Sequence, residues 1–261
     1  MLPPNLAANA YKPPTATAEL DLPAPVQIGA NGPAVKRVQE WVTLRGHSLD
    51  IDSDFGPATA KAVGDFQTSA GLPATGVVDQ ATWNALVQPM VDALNPLAAG
   101  APQSLSALTA TFGQHHVNCR PLEVGGQNRG PWVRLYLGWD GDDAKWCAGF
   151  ACFALSQAAF TLGIATPIRP SAACTTIGDY AKDAGKFSLG SGVGPPANLA
   201  PGSFFLVRKA PGVYEHMGIV SAVAPSTIST LEGNTDTNGS SNGYEAVGRT
   251  RGYAGKDFVI W

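Results

Sequence analysis

Lys145-Trp146-Cys147-Ala148-Gly149-Phe150-Ala151-Cys152-Phe153-Ala154-Leu155 is the stretch on which the reading of this chain turns. From Cys147 to Leu162 there is no proline and a single glycine, and the apolar positions wrap almost all round. Gly163 then closes the run as a C′ residue would. This predicts a core helix with Cys147 in its first turn. A helix N-terminus gathers unpaired N–H groups and the positive end of the macrodipole, so a thiol there is biased toward thiolate. Such placements lower a cysteine pKa from about 8.5 into the range of about 3.5–7.5. A buried cysteine is more often only a small hydrophobe. The functional reading of Cys147 therefore depends on its partners.

Those partners are sought downstream. A short helix is expected over Asp179–Ala184, followed by a Gly/Pro stretch from 190 to 202. Strands are expected over Gly202–Val207, Val213–Val223, Thr227–Glu232, Tyr244–Thr250 and Phe258–Trp261, with Ala210-Pro211-Gly212 as a turn. Helices followed by a meander of strands indicate α+β architecture with an antiparallel sheet. His216 opens the strand His216-Met217-Gly218-Ile219-Val220, and Glu232-Gly233-Asn234 closes the next, so a hairpin brings them side by side. If strand alternation persists, Glu232 and Asn234 share a face. A nucleophilic thiol needs a base, and the base needs a third group to fix its tautomer. Cys147, His216 and Glu232 supply the three, with Asn234 beside them.

The N-terminal half has a different texture. Residues 1–27 are rich in Pro, Ala and Thr and read as an extended leader. A weak repeat follows: Ala34-Val35-Lys36-Arg37-Val38-Gln39 returns as Ala62-Val63-Gly64-Asp65-Phe66-Gln67. Each copy predicts a helix, the first burying Val35, Val38, Trp41 and Val42, the second Ala62, Val63 and Phe66. A third helix is expected over Gln80–Val87, burying Trp83 and Leu86. Asp52 to Gly56 and Pro73 to Gly76 are the intervening turns. Asp50, Asp52 and Asp54 alternate as in a metal loop but lack its central glycine and distal glutamate, so they read as a solvated turn. Residues 91–104 read as a linker, and 105–261 as the second domain, opening with a helix through Leu105, Leu108 and Phe112. Adjacent His115 and His116 point in different directions and read as solvent or packing residues. The glycine-rich loop at 123–132 lacks the Lys-Ser/Thr and the preceding strand of a phosphate loop.

The net charge of −3 argues against nucleic acid as the main partner, and no apolar run is long enough to cross a bilayer. Residues 28–90 carry four basic and six acidic side chains, and residues 104–261 twelve and eleven, so neither is a cationic membrane permeabiliser. Met1 to Asn5 has neither the basic start nor the apolar segment of a secretory signal, which predicts synthesis in a cytoplasm. Four cysteines at 119, 147, 152 and 174 contain no C-x-x-C pair, which argues against structural zinc. Packing roles and no disulfide are expected for Cys119, Cys152 and Cys174.

Residues 28–90 resemble the small three-helix peptidoglycan-binding domain. The match rests on Gly29, Gly32, Val38-Gln39, Asp54-Phe55-Gly56, Thr59, Ala62-Val63, Phe66-Gln67, Gly71-Leu72, Gly76 and Thr82-Trp83. Ser53 departs from it, since the family commonly has glycine there. The C-terminal half resembles the CHAP family of cysteine- and histidine-dependent amidohydrolases/peptidases, whose fold is papain-like. Its matching residues are Glu123 with Gly125 to Pro131, Trp146-Cys147-Ala148-Gly149-Phe150, His216 to Val220, and Glu232-Gly233-Asn234-Thr235. The resemblance implies Cys147 as nucleophile, His216 as base, Glu232 as the residue orienting the imidazole and Asn234 as an auxiliary polar group. Some CHAP domains bind calcium through aspartates near the cysteine, and Asp140, Asp142 and Asp143 are retained as a secondary expectation of such a site. No cofactor is otherwise required.

Together the two resemblances imply a monomeric hydrolase whose partner is bacterial peptidoglycan. The bond cut is the muramoyl–alanine amide or one within the stem peptide. A modular phage endolysin, reaching the wall after holin-type release, is the expected setting. A bacterial effector delivered by a secretion machine is the alternative with the same chemistry. A non-catalytic wall-binding or virion component is the alternative from another class, and acyl transfer to an amine is a third.

Overall fold

The structure is a computed structural model that describes residues 1–22, 25–98, 100–101 and 104–261. The expected linker at 91–104 therefore lies partly outside the described residues. The helices are α1 (Pro14–Leu20), α2 (Pro33–Leu44), α3 (Pro57–Ser69), α4 (Gln80–Leu86), α5 (Gln88–Leu94), α6 (Leu105–Asn118), α7 (Pro131–Leu137), α8 (Cys147–Leu162) and α9 (Cys174–Asp183). The strands are β1 (Phe187–Ser188), β2 (Phe204–Ala210), β3 (Val213–Val223), β4 (Thr227–Thr235), β5 (Glu245–Gly252) and β6 (Lys256–Val259). No described helix is long and apolar enough to cross a membrane.

The chain divides into two compact units, Met1–Pro96 with Leu122–Ala144, and Leu97–Pro121 with Lys145–Trp261. Residues 122–144, expected within the second domain, group with the first unit. The leader also differs from expectation. Residues 14–20 form α1, with Pro14 at its first position, where proline loses no helix hydrogen bond. Leu20 and Leu22 are fully buried, and the Leu20 carbonyl accepts the Trp83 indole N–H at 2.8 Å. The helix α5, buried at Met90, Val91 and Leu94, occupies the start of the expected linker.

In the first unit α2, α3 and α4 bury the predicted faces: Val35, Val38, Trp41, Val42, Val63, Phe66, Trp83 and Leu86. The internal repeat has a structural meaning. Gln39 in α2 donates Nε2 to the Asp54 carbonyl at 3.0 Å and to Thr59 Oγ1 at 3.1 Å, and its Oε1 accepts Ser53 N–H at 2.9 Å. Gln67 in α3 repeats this, donating to the Val77 carbonyl at 2.9 Å and Thr82 Oγ1 at 2.9 Å while accepting Gly76 N–H at 2.9 Å. Each buried glutamine clamps the turn after its helix. The clamped residue is left-handed in both copies, Ser53 at φ 66° and Gly76 at φ 69°. A non-glycine residue there costs about 1–2 kcal/mol, and glycine's greater unfolded-state entropy offsets about half of that. Ser53→Gly is therefore expected to stabilise the protein by about 0.5–1 kcal/mol, read as a higher midpoint in urea unfolding.

One guanidinium ties four segments of this unit together. Arg134 in α7 donates Nε to Glu19 Oε1 at 2.7 Å, Nη2 to Glu40 Oε2 at 2.6 Å and Nη1 to Asp140 Oδ2 at 2.6 Å. Glu19 belongs to α1 and Glu40 to α2, and both side chains are almost wholly buried. Trp132, also in α7, meets Trp41 edge-to-face with ring centroids 6.1 Å apart.

The second unit is built on one antiparallel sheet in the order β1-β6-β2-β3-β4-β5. Five of the six described strands answer to the sequence expectation, with β2 running on to Ala210, β4 to Thr235 and β6 shifted to Lys256–Val259, while β1 was not expected. The helix α8 packs on β3 and β4 and against α6, and α9 packs on β3. Between α6 and α8, His116 Nε2 lies 2.9 Å from Gln157 Oε1, both side chains buried. Burial holds the His116 pKa down from 6.5 to about 4, against the Gln157 hydrogen bond, which raises it, and with a smaller lowering from His115. The folded form thus binds its proton later than the unfolded chain. Its contribution is complete above pH 6.5 and is lost as pH falls toward about 4, about 3 kcal/mol in all. His116→Gln is expected to flatten that part of the stability–pH curve, measured by urea unfolding between those limits.

Candidate active site

The site is assembled from the start of α8, the start of α9 and two neighbouring strands of the sheet. Cys147 is the first residue of α8, as predicted, and is 2% exposed. Trp146 precedes it as the N-cap, fully buried. The close approach of β4 to this helix start depends on Gly233. A Cβ there would lie 2.7 Å from Phe150 Cβ and 2.8 Å from the Trp146 ring.

His216 on β3 and Glu232 on β4 are both buried, and His216 Nε2 lies 2.8 Å from Glu232 Oε2. The hairpin thus brings them together as expected. The other ring nitrogen, Nδ1, is buried with no hydrogen-bond partner among the described residues. Glu232 is held on every side: Oε1 accepts Thr230 Oγ1 at 2.5 Å and Arg251 Nε at 2.6 Å, and Oε2 accepts Arg251 Nη2 at 2.5 Å. Burial would raise the Glu232 pKa, but hydrogen bonds from Arg251 and His216 and their charges hold it at about 2. Burial likewise opposes the His216 cation, yet Cys147 and Glu232 raise it to about 9.

The thiol is biased the other way. The Cys147 pKa lies well below its ordinary value, first through the hydrogen bond from Cys174 and then, against burial, through His216 and the Met217 backbone. The two sulfurs are 3.6 Å apart. Cys174 is pushed far up by the same contact and by burial, so it remains a thiol and donates. Cys152 is pushed up to about 12, chiefly by burial. The arrangement biases Cys147 toward thiolate and His216 toward imidazolium, with the far side of the ring held by a carboxylate. That set can attack a carbonyl carbon and hand a proton to the leaving group.

Asn234 departs from the expected geometry. It adopts φ 55°, and pairing of β4 with β5 shifts register between Glu232 and Thr235. Strand alternation stops there, and the Asn234 amide donates to the Gly243 carbonyl at 3.1 Å, tying down the following loop. The sequence assigned no site role to two residues, Arg251 and Cys174, the latter expected only to pack. Arg251 belongs to a period-two pair with Arg249 on β5, a signal that marks a shared face and names no partner. Cys174 stands at the first position of α9, which begins five residues before the expected helix.

Of the aspartates considered for calcium, Asp140 and Asp142 are engaged by arginines. Asp140 Oδ2 accepts Arg134 Nη1 at 2.6 Å and Gly130 N–H at 3.1 Å, while Asp142 pairs with Arg129 at 3.0 Å. Among the described residues no group of three or more His, Cys, Asp or Glu side chains is placed to hold a metal ion. In the glycine-rich loop, Glu123 Oε2 accepts Asn128 N–H at 2.7 Å.

Residues 31–86 match the family described as "Putative peptidoglycan binding domain". A zinc D-Ala-D-Ala carboxypeptidase of Streptomyces albus G is 40% identical over 72 residues, which are 26% of this chain and 28% of that protein. The chain thus spans about a quarter of that curated relative. The N-terminal domain of SleB is 32% identical over 25% of this chain and 90% of that one, with a TM-score of 0.24. A peptidoglycan-binding protein from Clostridioides difficile, solved with glutamine hydroxamate, is 37% identical over 28% of this chain and 46% of that one, with a TM-score of 0.26. The chain carries an N-terminal peptidoglycan-binding domain and is related to peptidoglycan-associated proteins.

Proposed function

We propose that the protein hydrolyses an amide bond of peptidoglycan through a thiol, with Cys147 as nucleophile, His216 as acid and base, and Glu232 as the residue that fixes the imidazole. The observation that carries this reading is the buried His216–Glu232 pair at 2.8 Å, in a ring that Cys147 also holds toward its cation. The peptidoglycan-binding domain supports the choice of substrate, and the CHAP-type order of Cys147, His216 and Glu232 supports the chemistry. Action as a phage endolysin is part of the same proposal.

In this mechanism the Cys147 thiolate adds to the amide carbonyl, and the Cys147 backbone N–H at the helix start helps hold the oxyanion. The imidazolium of His216 protonates the departing amine, leaving a thioester. Neutral His216 then takes a proton from water as the water attacks, and the acid product leaves with the Cys147 thiolate and the His216 imidazolium restored. Proton transfer by a positioned histidine contributes about 10²–10⁴-fold.

The test is mass spectrometry of fragments released from purified peptidoglycan. New amine and carboxyl termini are expected, and they name the scissile bond. New reducing sugar ends, or sacculi that bind the protein and release nothing, would overturn the reading. The rate should rise with pH as the thiol ionises, below the ordinary thiol range, and fall as His216 loses its proton near 9. Glu232→Gln removes the carboxylate that raises His216, so the falling limb should move to lower pH and the plateau rate should drop.

A further inference from the structure

We propose that Cys147 and Cys174 form a redox pair, in which Cys174 captures oxidised Cys147 as a disulfide and reversibly closes the site. That the bond shuts off hydrolysis rests on the function proposed above; that it forms does not. The observation is geometric. The two sulfurs lie 3.6 Å apart although 27 residues separate them, and each is the first residue of its own helix. Both are free thiols. A disulfide needs the sulfurs at about 2.0 Å, so closure requires a shift within reach of side-chain rotation and a small movement of one helix start.

The chemistry balances with a peroxide as oxidant. The Cys147 thiolate attacks one oxygen of hydrogen peroxide, the O–O bond breaks, hydroxide leaves, and the sulfur becomes a sulfenic acid. The Cys174 sulfur then attacks the sulfenyl sulfur. The S–S bond forms, the S–O bond breaks, and the hydroxyl leaves as water with the Cys174 proton. A dithiol reductant, itself oxidised to its disulfide, restores both thiols. The order is set by the neighbours. Cys147 is the more acidic thiol, and its thiolate is what keeps Cys174 protonated. Sulfenylation removes that negative charge, so Cys174 becomes easier to ionise at the step where it must attack. The third nearby thiol, Cys152, donates to the Ser171 carbonyl at 3.5 Å and stays protonated.

The experiment treats the reduced full-length protein with a several-fold excess of hydrogen peroxide, enough for two oxidation steps at one sulfur, and maps cysteines by mass spectrometry of a non-reducing digest. The expected product is a peptide pair joined through Cys147 and Cys174 and lacking two hydrogens. Peptidoglycan release should fall with its formation and return on adding dithiothreitol. In Cys174→Ser the joined pair should be absent, Cys147 should proceed to the sulfinic acid, and dithiothreitol should restore nothing. Sulfinic acid at Cys147 in the wild type, or a bond to Cys152 in place of Cys174, overturns the proposal without any variant having to fold. Release by the reduced wild type with no joined pair on oxidation would retire the redox pair alone. A joined pair in a protein whose reduced form releases nothing would retire the hydrolase reading and leave the pair standing.

Discussion

Cys147→Ala is expected to release no new amine termini from purified peptidoglycan, a loss on the order of 10⁶-fold in turnover. The size of the effect follows from the kind of interaction removed. His216 speeds a step that Cys147 makes possible, and without the sulfur there is no thioester for the imidazole to help form or break. Alanine is the best helix former and leaves α8 its apolar surroundings, so a substitution at this buried first position should leave the fold in place. Binding to sacculi should be kept, since residues 31–86 match the peptidoglycan-binding family. Retained release by the alanine variant, measured by fragment mass spectrometry, would end the assignment of Cys147.

Arg134→Ala is expected to cost about 3–5 kcal/mol of stability. The guanidinium is bonded to Glu19, Glu40 and Asp140, and Lys36 approaches Glu40 at 3.7 Å. Deleting it leaves Glu19 and Glu40 buried with most of their compensation gone. Burial of an unpaired charge, rather than loss of attraction, is what makes the change severe. Urea unfolding should show the midpoint falling well below that of the wild type. A shift within a few tenths of a kcal/mol, the range of a surface pair, would mean that these carboxylates reach water readily.

Periodicity and punctuation made the larger elements legible. The run from Cys147 to Leu162 and the strand pattern after Gly202 gave α8 and most of the sheet, and the repeated Val-Gln and Phe-Gln placed α2 and α3. The seven-residue helices α1 and α7 were harder. The helix α1 begins in Pro13-Pro14-Thr15, a composition that reads as an extended leader, and it is held by Leu20 and Leu22 packing in a core built elsewhere. For α7 a start signal was present in Gly130-Pro131, but the surrounding glycines masked it. In the site, Cys147 was readable because it opens a recognisable helix, and His216 and Glu232 because they lie on two successive recognisable strands joined by a short turn. Arg251 and Cys174 were not, because their meaning lies in pairings across 19 and 27 positions that no local pattern names. The face shared by Glu232 and Asn234 was expected from ideal strand alternation, which the left-handed backbone at Asn234 interrupts.

The chain passes from one unit to the other at residues 96–97, again at 121–122 and again at 144–145. A cut in the linker therefore does not yield two whole modules. A fragment starting at residue 105 would carry Arg134 without Glu19 and Glu40, and the complementary fragment would keep both acids without their cation. For grafting one wall-binding module in place of another, the exchangeable piece is discontinuous: residues 1–96 travel together with 122–144, as a plug travels with its socket.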